Sequence, residues 1–387
     1  MLWGVLAGAS ALLWLLVLLL PWAPWRVRET LAVTSNEPAA DLSDLSVLIP
    51  ARNEAAHIQA TLHAVAAQGN GLHVIVVDDQ SSDGTAALAR QTQIANLNVI
   101  AGEPLPDGWS GKLWALQQGL PHVTASRVLL LDADIELEPG LLATLLEKMQ
   151  QHELHFVSLM VELRMQGFWE RLLLPAFVYF FKLVYPFRLS NDARWSRFAA
   201  AAGGCILVDT QVLRDINAFG SLRDALIDDC TLAQRVKAKG YRTWIGLTRA
   251  AQSLRRYDTL TDIWNMVART AFTQLHYSSA LLALVSLLMV LVFWVPVLAL
   301  LSDAPLAQLL GVTGLGLMAV SYLPTLRYYH RSALWVLLLP LIGSLFLAMT
   351  WSSAWRYFRG QRSAWKDRIY DRRRKDAESP GATLEKS

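Results

Sequence analysis

Cysteine is scarce in this sequence: Cys205 and Cys230 are the only two among 387 residues. They stand alone, with no CxxC and no Cys/His pair at metal-ligand spacing, which excludes a thiolate zinc site and a disulfide framework. Two isolated thiols fit a reducing compartment. Charge is sparse as well, at 17% of residues and a net charge of +3. No basic, aromatic-laced stretch suggests a nucleic-acid partner. The phosphate-binding pattern with four residues between its first glycine and the Gly-Lys pair is absent, because the glycines of PDGWSGK stand too close together. No internal repeat is visible.

Apolar residues are abundant. They make up 53% of the chain, with fifteen tryptophans and a mean hydropathy of +0.30. Four uncharged stretches, 2–25, 277–302, 304–326 and 332–355, each exceed the roughly 20 residues a helix needs to cross a bilayer. The first lacks a basic leader and is too long for a signal-peptide core. Arg26 and Arg28 follow it. It reads as an uncleaved anchor over 1–25 whose C-terminal end faces the cytoplasm. A polar linker over 26–45, a soluble domain over 46–276, a membrane region over 277–355 and a basic tail over 356–387 complete the division. The tail carries nine Lys/Arg between 356 and 375.

Three late spans after a cytoplasmic domain would place this basic tail outside, against the positive-inside tendency. Pro340 and Gly343 mark 332–355 as the segment expected to re-enter, which keeps the tail cytoplasmic. A fifth apolar patch, 168–189, is interrupted by Arg171, Lys182 and Arg188. Its uncharged core is too short to span, and it reads as an interfacial helix or, alternatively, an ordinary core helix.

Within 46–276, apolar runs of strand length alternate with helical segments: SVLIP, a helix from Glu54, HVIVVDD, a helix from Asp83, LNVIA, a helix from Lys112, then RVLLLD. This is the pattern of an α/β fold with a mostly parallel central sheet. Ligands in such sheets sit beyond the carboxyl ends of the strands. Those ends carry Arg52, Asn53 and Glu54 after the first strand, Asp78 and Asp79 after the second, and Asp132 and Asp134 in RVLLLDADIELEPG.

Each motif has two readings. Asp132 and Asp134, one residue apart, repel unless a cation lies between them or one is protonated, and hard oxygen donors suit Mg2+ or Mn2+. The same residues also precede helices as caps. Asp78 and Asp79 would accept from a base N–H or ribose hydroxyls, while the SSDGT that follows is equally a turn and cap. PDGWSGK places backbone N–H groups and Lys112 at a helix start, suited to a diphosphate or merely solvated. Further on stand GGCILVD, with Gly203 and Gly204, and ALIDDCTLAQRVKAKGYR. There Asp228 and Asp229 head an amphipathic helix, where the dipole would stabilise a carboxylate able to take a proton from an alcohol.

Together, SVLIPARNE, VIVVDDQSSDGT, LLLDADIELEPG, GGCILVD and LIDDCTLAQRVKAKGYR resemble the family 2 glycosyltransferases with the nucleotide-sugar-binding GT-A fold, over about half the chain. GWSGKLWAL, MVARTAFTQLHYS and SAWKDRIY resemble more narrowly the hopene-associated membrane glycosyltransferases. Enzymes acting on ceramide or carotenoid acids look similar at greater distance. The resemblance implies a GT-A domain flanked by transmembrane helices. Asp78 and Asp79 would face the base and ribose, with Asn53 and Glu54 near the nucleotide. Lys112 would meet the diphosphate, and Asp134, assisted by Asp132, would hold a Mg2+ or Mn2+ ion. Asp229 would be the general base with Asp228 beside it, and Gly203 and Gly204 would lie on the acceptor side. The QxxRW motif of processive members is missing: Arg269 is followed by Thr270. This argues against polymer synthesis.

The expectation is therefore an inverting transfer of a sugar from a nucleotide-sugar donor to a lipid acceptor, in hopanoid biosynthesis as the resemblance implies, at the cytoplasmic face of the inner membrane. The lipid follows from the flanking spans and from the 168–189 patch. Two other classes stay open. One is a non-catalytic membrane module with a degenerate domain. The other is a nucleotidyltransferase, which would release pyrophosphate.

Overall fold

The computed structural model describes residues 1–33, 40–223, 227–365 and 368–371. Part of the expected linker (34–39), Ala225 and Leu226 of the ALIDD motif, and the tail beyond 371 lie outside the described residues.

Nine strands form one sheet: β1 (Thr30–Leu31), β2 (Leu45–Ala51), β3 (His73–Asp78), β4 (Leu97–Ala101), β5 (Arg127–Leu131), β6 (Ile135–Leu137), β7 (Phe156–Glu162), β8 (Cys205–Asp209) and β9 (Thr243–Ser253). Their order is β1-β9-β7-β8-β5-β2-β3-β4, with β6 also on β9. β2 pairs parallel with both β3 and β5, so the chain winds outward from β2 in both directions. All seven residues of β2 are buried, because helices cover both faces of the sheet. β8 enters antiparallel between β5 and β7, and β6 pairs antiparallel with β9; the other pairings are parallel.

Eleven helices position the site and build the membrane region. α1 (Leu2–Leu19) precedes the sheet. α2 (Ile58–Ala66), α3 (Thr85–Gln91), α4 (Gly111–Gly119), α5 (Leu141–Gln151), α6 (Phe168–Val184), α7 (Asp228–Ala238) and α8 (Leu260–Ala268) accompany it. α9 (Ser279–Ala299), α10 (Pro305–Tyr328) and α11 (Leu339–Phe358) come after it. One apolar cluster joins the sheet to α2 and α5 through Ile58, Leu62, Leu141 and Leu145. A second joins the opposite face to α4 and α7 through Leu113, Leu116, Leu232 and Val236. A third, containing Trp14, Tyr179, Ile263, Phe293, Tyr322 and Phe346, fuses the domain to the long helices.

Among the described residues, four helices are long and apolar enough to cross a membrane: α1, α9, α10 and the helical stretch Ala333–Phe358 that contains α11. α1 and α10 approach closely through small residues; a Cβ on Gly8 would touch Leu310, and one on Gly314 would touch Ala11. α9 widens into a π turn at Val290–Trp294. Pro296 has no N–H to give the carbonyl of Val292, four residues back, so that acceptor would be orphaned. The indole N–H of Trp14 fills the vacancy at 2.9 Å, stitching α1 to α9.

Both ends of the final helical stretch touch the domain. Trp335, in the turn before α11, packs on Phe168, and Arg331 donates to the Met165 carbonyl at 3.4 Å. At the other end, Ser353 accepts from the Phe272 N–H at 3.0 Å, Arg356 donates to Asn265 at 2.7 Å, and Tyr357 stacks on Tyr277 at 4.5 Å.

Three local expectations change. The 26–45 segment contains β1, which adds a parallel edge strand to β9 with Thr30 opposite Leu247. The 168–189 patch is two helices rather than one, α6 and then Phe187–Asn191, divided at Tyr185–Pro186. α6 is buried on most sides, including Glu170 and Lys182, because it is wedged between the sheet and the spans. The helix expected from Glu54 begins at Ile58. Glu54 is pulled sideways instead: its N–H donates to Thr85 Oγ1 at 2.9 Å and its carboxylate takes Arg255 at 2.9 Å.

Candidate active site

The carboxyl ends of β2, β3 and β5 come together because β2 is the strand where the winding direction reverses. A cleft of about 310 Å³ opens there. Its lining includes Glu54, Lys112, Asp132, Asp134, Gly203, Gly204, Asp228 and Asp229. Thus eight of the residues singled out in the sequence share one cavity, although they come from five distant parts of the chain.

Lys112 is the hub. It stands at the start of α4, whose N-cap Ser110 accepts from the Leu113 N–H. Its ammonium lies 2.6 Å from Asp132 and donates to the Gly203 carbonyl at 3.1 Å. Burial would lower its pKa, but Asp132, Asp228 and Asp229 outweigh that and keep it firmly charged. Gly203 leaves room for this approach: a Cβ there would sit 3.2 Å from the Lys112 ammonium and 3.4 Å from an Asp229 oxygen, tight enough to push one of them aside.

Asp229 lies in the first turn of α7. The helix position alone predicts a carboxylate stabilised by the dipole. The structure reverses that expectation: burial, then the neighbouring charge of Asp228, raise the Asp229 pKa to about 6, against the opposing pull of the Cys230 N–H and Lys112. A carboxylate in this range is suited to accept a proton near neutral pH.

Asp132 and Asp134 flank the turn between β5 and β6. Asp134 is buried, accepting from Ser253 Oγ at 3.1 Å and pairing with Arg255 at 3.2 Å. Among the described residues no group of three or more His, Cys, Asp or Glu side chains is placed to hold a metal ion. The chain thus offers two hard carboxylate donors on one turn, with Asp132 one-third exposed to the cleft. That set fits Mg2+ or Mn2+, which characteristically take one or two carboxylates and complete their shell with water and substrate phosphates.

Asp78, Asp79 and Asn53 do not line this cleft; they form its neighbouring rim. Asp79 is fully buried, its N–H donating to Ala51 O at 2.8 Å, and Arg52 reaches its carbonyl at 2.6 Å. Asn53 adopts a positive φ of 50°. It locks the two turns together: its N–H donates to Ser81 Oγ and its side chain accepts from the Ser82 N–H, each at 3.0 Å. In SSDGT the capping reading holds for Asp83, whose carboxylate accepts from the N–H groups of Ala55 and Thr85.

Ser253, Arg255 and Tyr257 also line the cleft and went unnoticed in the sequence. The signal was present. Ser253 ends the eleven-residue strand β9 and the other two follow it, so the strand-end rule that found the other groups applies to them. Arg269, noted only for lacking its tryptophan, lines the cleft as well.

Residues 46–216 match the family described as Glycosyl transferase family 2. That segment belongs to glycosyltransferase family 2. A stretch of 91 residues is 36% identical to 4,4'-diaponeurosporenoate glycosyltransferase of Staphylococcus aureus (strain MRSA252), covering 24% of this chain and 24% of that protein. The match therefore spans about a quarter of the relative's length. Among solved structures, the mannosyltransferase PcManGT from Pyrobaculum calidifontis, in complex with GDP-Man and Mn2+, aligns with a TM-score of 0.53 at 17% identity, covering 90% of this chain and 99% of that one. The family 2 domain here has the GT-A fold, with helices long enough to cross a membrane on either side of it.

Proposed function

We propose that this protein is a membrane-bound, inverting glycosyltransferase that moves one sugar from a nucleotide-sugar donor to a lipid acceptor. The observation that carries the reading is the convergence of Lys112, Asp132, Asp134 and Asp229 on one cleft at the strand ends. Asp78, Asp79 and Asn53 would receive the nucleoside on the adjoining rim. Asp132 and Asp134 would hold Mg2+ or Mn2+, which supplies charge compensation at the diphosphate.

Lys112 stands ready to face the diphosphate, already fixed by Asp132 and the Gly203 carbonyl. Asp229 takes the proton of the acceptor hydroxyl. The acceptor oxygen bonds to the anomeric carbon while the bond from that carbon to the diphosphate oxygen breaks. Its electron pair leaves with the nucleoside diphosphate, and attack from the opposite side inverts the anomeric centre. Arg255 holds Asp134 and Glu54 in place on the cleft wall.

A lipid acceptor is supported by the spans fused to the domain and by the partial match to a protein named for 4,4'-diaponeurosporenoate. A hopanoid is the acceptor implied by the sequence resemblance. For orientation, Arg26, Arg28, Arg327, Arg331, Arg356 and Arg359 all flank the ends of α1, α10 and α11 that meet the domain. The turn between α9 and α10 carries only Asp303. By the positive-inside tendency the domain faces the cytoplasm, three helices cross, and α11 returns to the domain's side.

The test is turnover by the full chain in lipid nanodiscs with Mg2+ or Mn2+ and a panel of nucleotide sugars, with lipid products read by mass spectrometry. Release of a nucleoside diphosphate with a new glycolipid is the expected result. Pyrophosphate release from a nucleoside triphosphate, or no turnover with any donor, would overturn the reading.

A further inference from the structure

Between α1, α6, α9 and α11 lies an apolar cavity of about 410 Å³. Trp14, Phe180, Phe293 and Phe346 contribute its walls, and among the described residues its lining contains no Asp, Glu, Lys, Arg or His. Phe177 and Phe181 line both this cavity and the catalytic cleft, so the two spaces share a wall. The end of α8 and the turn after it divide in the same way: Val267, Thr270, Ala271 and Gln274 line the cavity, while Arg269 lines the cleft.

Tyr185, at the break that ends α6, marks the junction. Its ring packs 5.0 Å from Phe181, and its hydroxyl donates to Gln274 Oε1 at 2.6 Å. Phe181, on which it packs, also lines the cleft that contains Asp229. An apolar chamber that has Tyr185, Thr270 and Gln274 in its lining and shares a wall with a cleft holding a carboxylate is suited to an amphiphile with a small uncharged polar end. A lipid phosphate would bring charge into a lining that has no cation to pair with it.

We propose that this cavity holds the hydrocarbon of the acceptor, a neutral long-chain lipid alcohol, and that Tyr185 and Gln274 position its hydroxyl toward Asp229. The proposal rests on the glycosyltransfer reading and names the acceptor site for it. The wall it shares with the cleft, Phe177 and Phe181, distinguishes this cavity from the lipid-facing grooves elsewhere on the spans.

The experiment uses the full chain in nanodiscs, a diazirine-bearing long-chain primary alcohol as probe, and diazirine phosphatidylcholine as comparison. The alcohol is expected to label α6 and α11 and to be competed by unlabelled alcohol. Ala271→Trp and Thr350→Trp, which fill the cavity from two walls, are expected to lower that labelling about tenfold or more. Tyr185→Phe changes almost no volume. It is expected to keep the label and raise the KM for the alcohol more than it lowers kcat. Equal labelling of the same residues by phosphatidylcholine would show a groove for bilayer lipid and overturn the proposal. So would undiminished labelling in both tryptophan variants.

UDP and GDP binding by calorimetry reports whether each variant is folded; if both tryptophan variants lose it, the Tyr185→Phe kinetics decide, and an unchanged KM there overturns the proposal. A wild-type protein that binds neither nucleotide would instead defeat the glycosyltransfer reading, while the labelling pattern would still judge the cavity.

Discussion

Replacing Asp229 with asparagine separates a chemical role from a structural one. In the wild-type fold this carboxyl has a pKa of about 6, against 3.8 for a free aspartate. Between those values the folded state binds a proton that the unfolded chain has released. Its contribution to stability is therefore most favourable below the unfolded value and declines as pH rises through about 6. At neutral pH the charged form costs the fold up to about 3 kcal/mol, less in practice because Asp229 keeps part of its surface in water. Asparagine removes that cost.

The expected outcome is a thermal midpoint at neutral pH equal to or above that of the wild type, together with a loss of turnover of about 10²–10⁴-fold, the usual worth of a general base. Donor binding should be nearly unchanged. Catalysis needs the carboxylate, so wild-type kcat should fall on the acid side with a midpoint near 6. Asp228→Asn, by removing a like charge, should move that limb to lower pH. Calorimetric melting and a coupled assay for nucleoside diphosphate release measure both quantities. Wild-type turnover in D229N would refute the assignment of the base, and a much lower melting point would show that its charge supports the fold.

Other expectations test separate parts of the molecule. Lys112→Ala removes the cation that faces Asp132 and should raise the KM for the nucleotide sugar about tenfold or more, the worth of roughly 1.4 kcal/mol. Glu170, buried in α6, accepts from the N–H groups of Gln166, Gly167 and Tyr257 at 2.8, 2.8 and 2.9 Å. Burial alone would raise its pKa, yet these donors lower it, so its stabilising contribution is present above the unfolded value of 4.5 and lost as pH falls through the depressed folded value. Glu170→Ala should lower stability by about 3 kcal/mol in denaturant titration. Trp14→Phe removes the shorter of the two hydrogen bonds to the Val292 carbonyl, leaving only Ser10 Oγ at 3.4 Å, and should cost about 1 kcal/mol in detergent melts. Both native cysteines are buried, so single-cysteine labelling has little background. Arg359→Cys should react from the same side as the domain and Asp303→Cys from the opposite side; labelling of both from one side would contradict the arrangement of α11.

The strand ends were legible because a parallel sheet buries its strands on both faces. SVLIP, HVIVV and RVLLL have strand length and alternate with helical segments, so polar residues directly after them are expected at one rim. The pairing of β8 was not legible, since nothing in CILVD distinguishes an antiparallel strand from its parallel neighbours. β1 was hidden because two residues, Thr30 and Leu31, carry no alternation to read. The raised pKa of Asp229 was likewise out of reach. Its position at a helix start points to stabilisation, and only tertiary burial, added to the charge of Asp228 beside it in sequence, reverses the sign. Arg255 fell between these cases: its place after β9 was visible, but its partners Glu54 and Asp134 are remote in sequence.

The apolar chamber takes its walls from opposite ends of the polypeptide, Trp14 near the start and Phe346 and Thr350 near the finish. A ribosome delivers these pieces hundreds of residues apart, with the whole family 2 domain made in between. On the proposed reading the nucleotide site would mature early, while the compartment for the acceptor would close only once Phe346 and Thr350 are in place. Under the proposed function, sugar transfer to a lipid would then wait on the insertion of the helix that carries them.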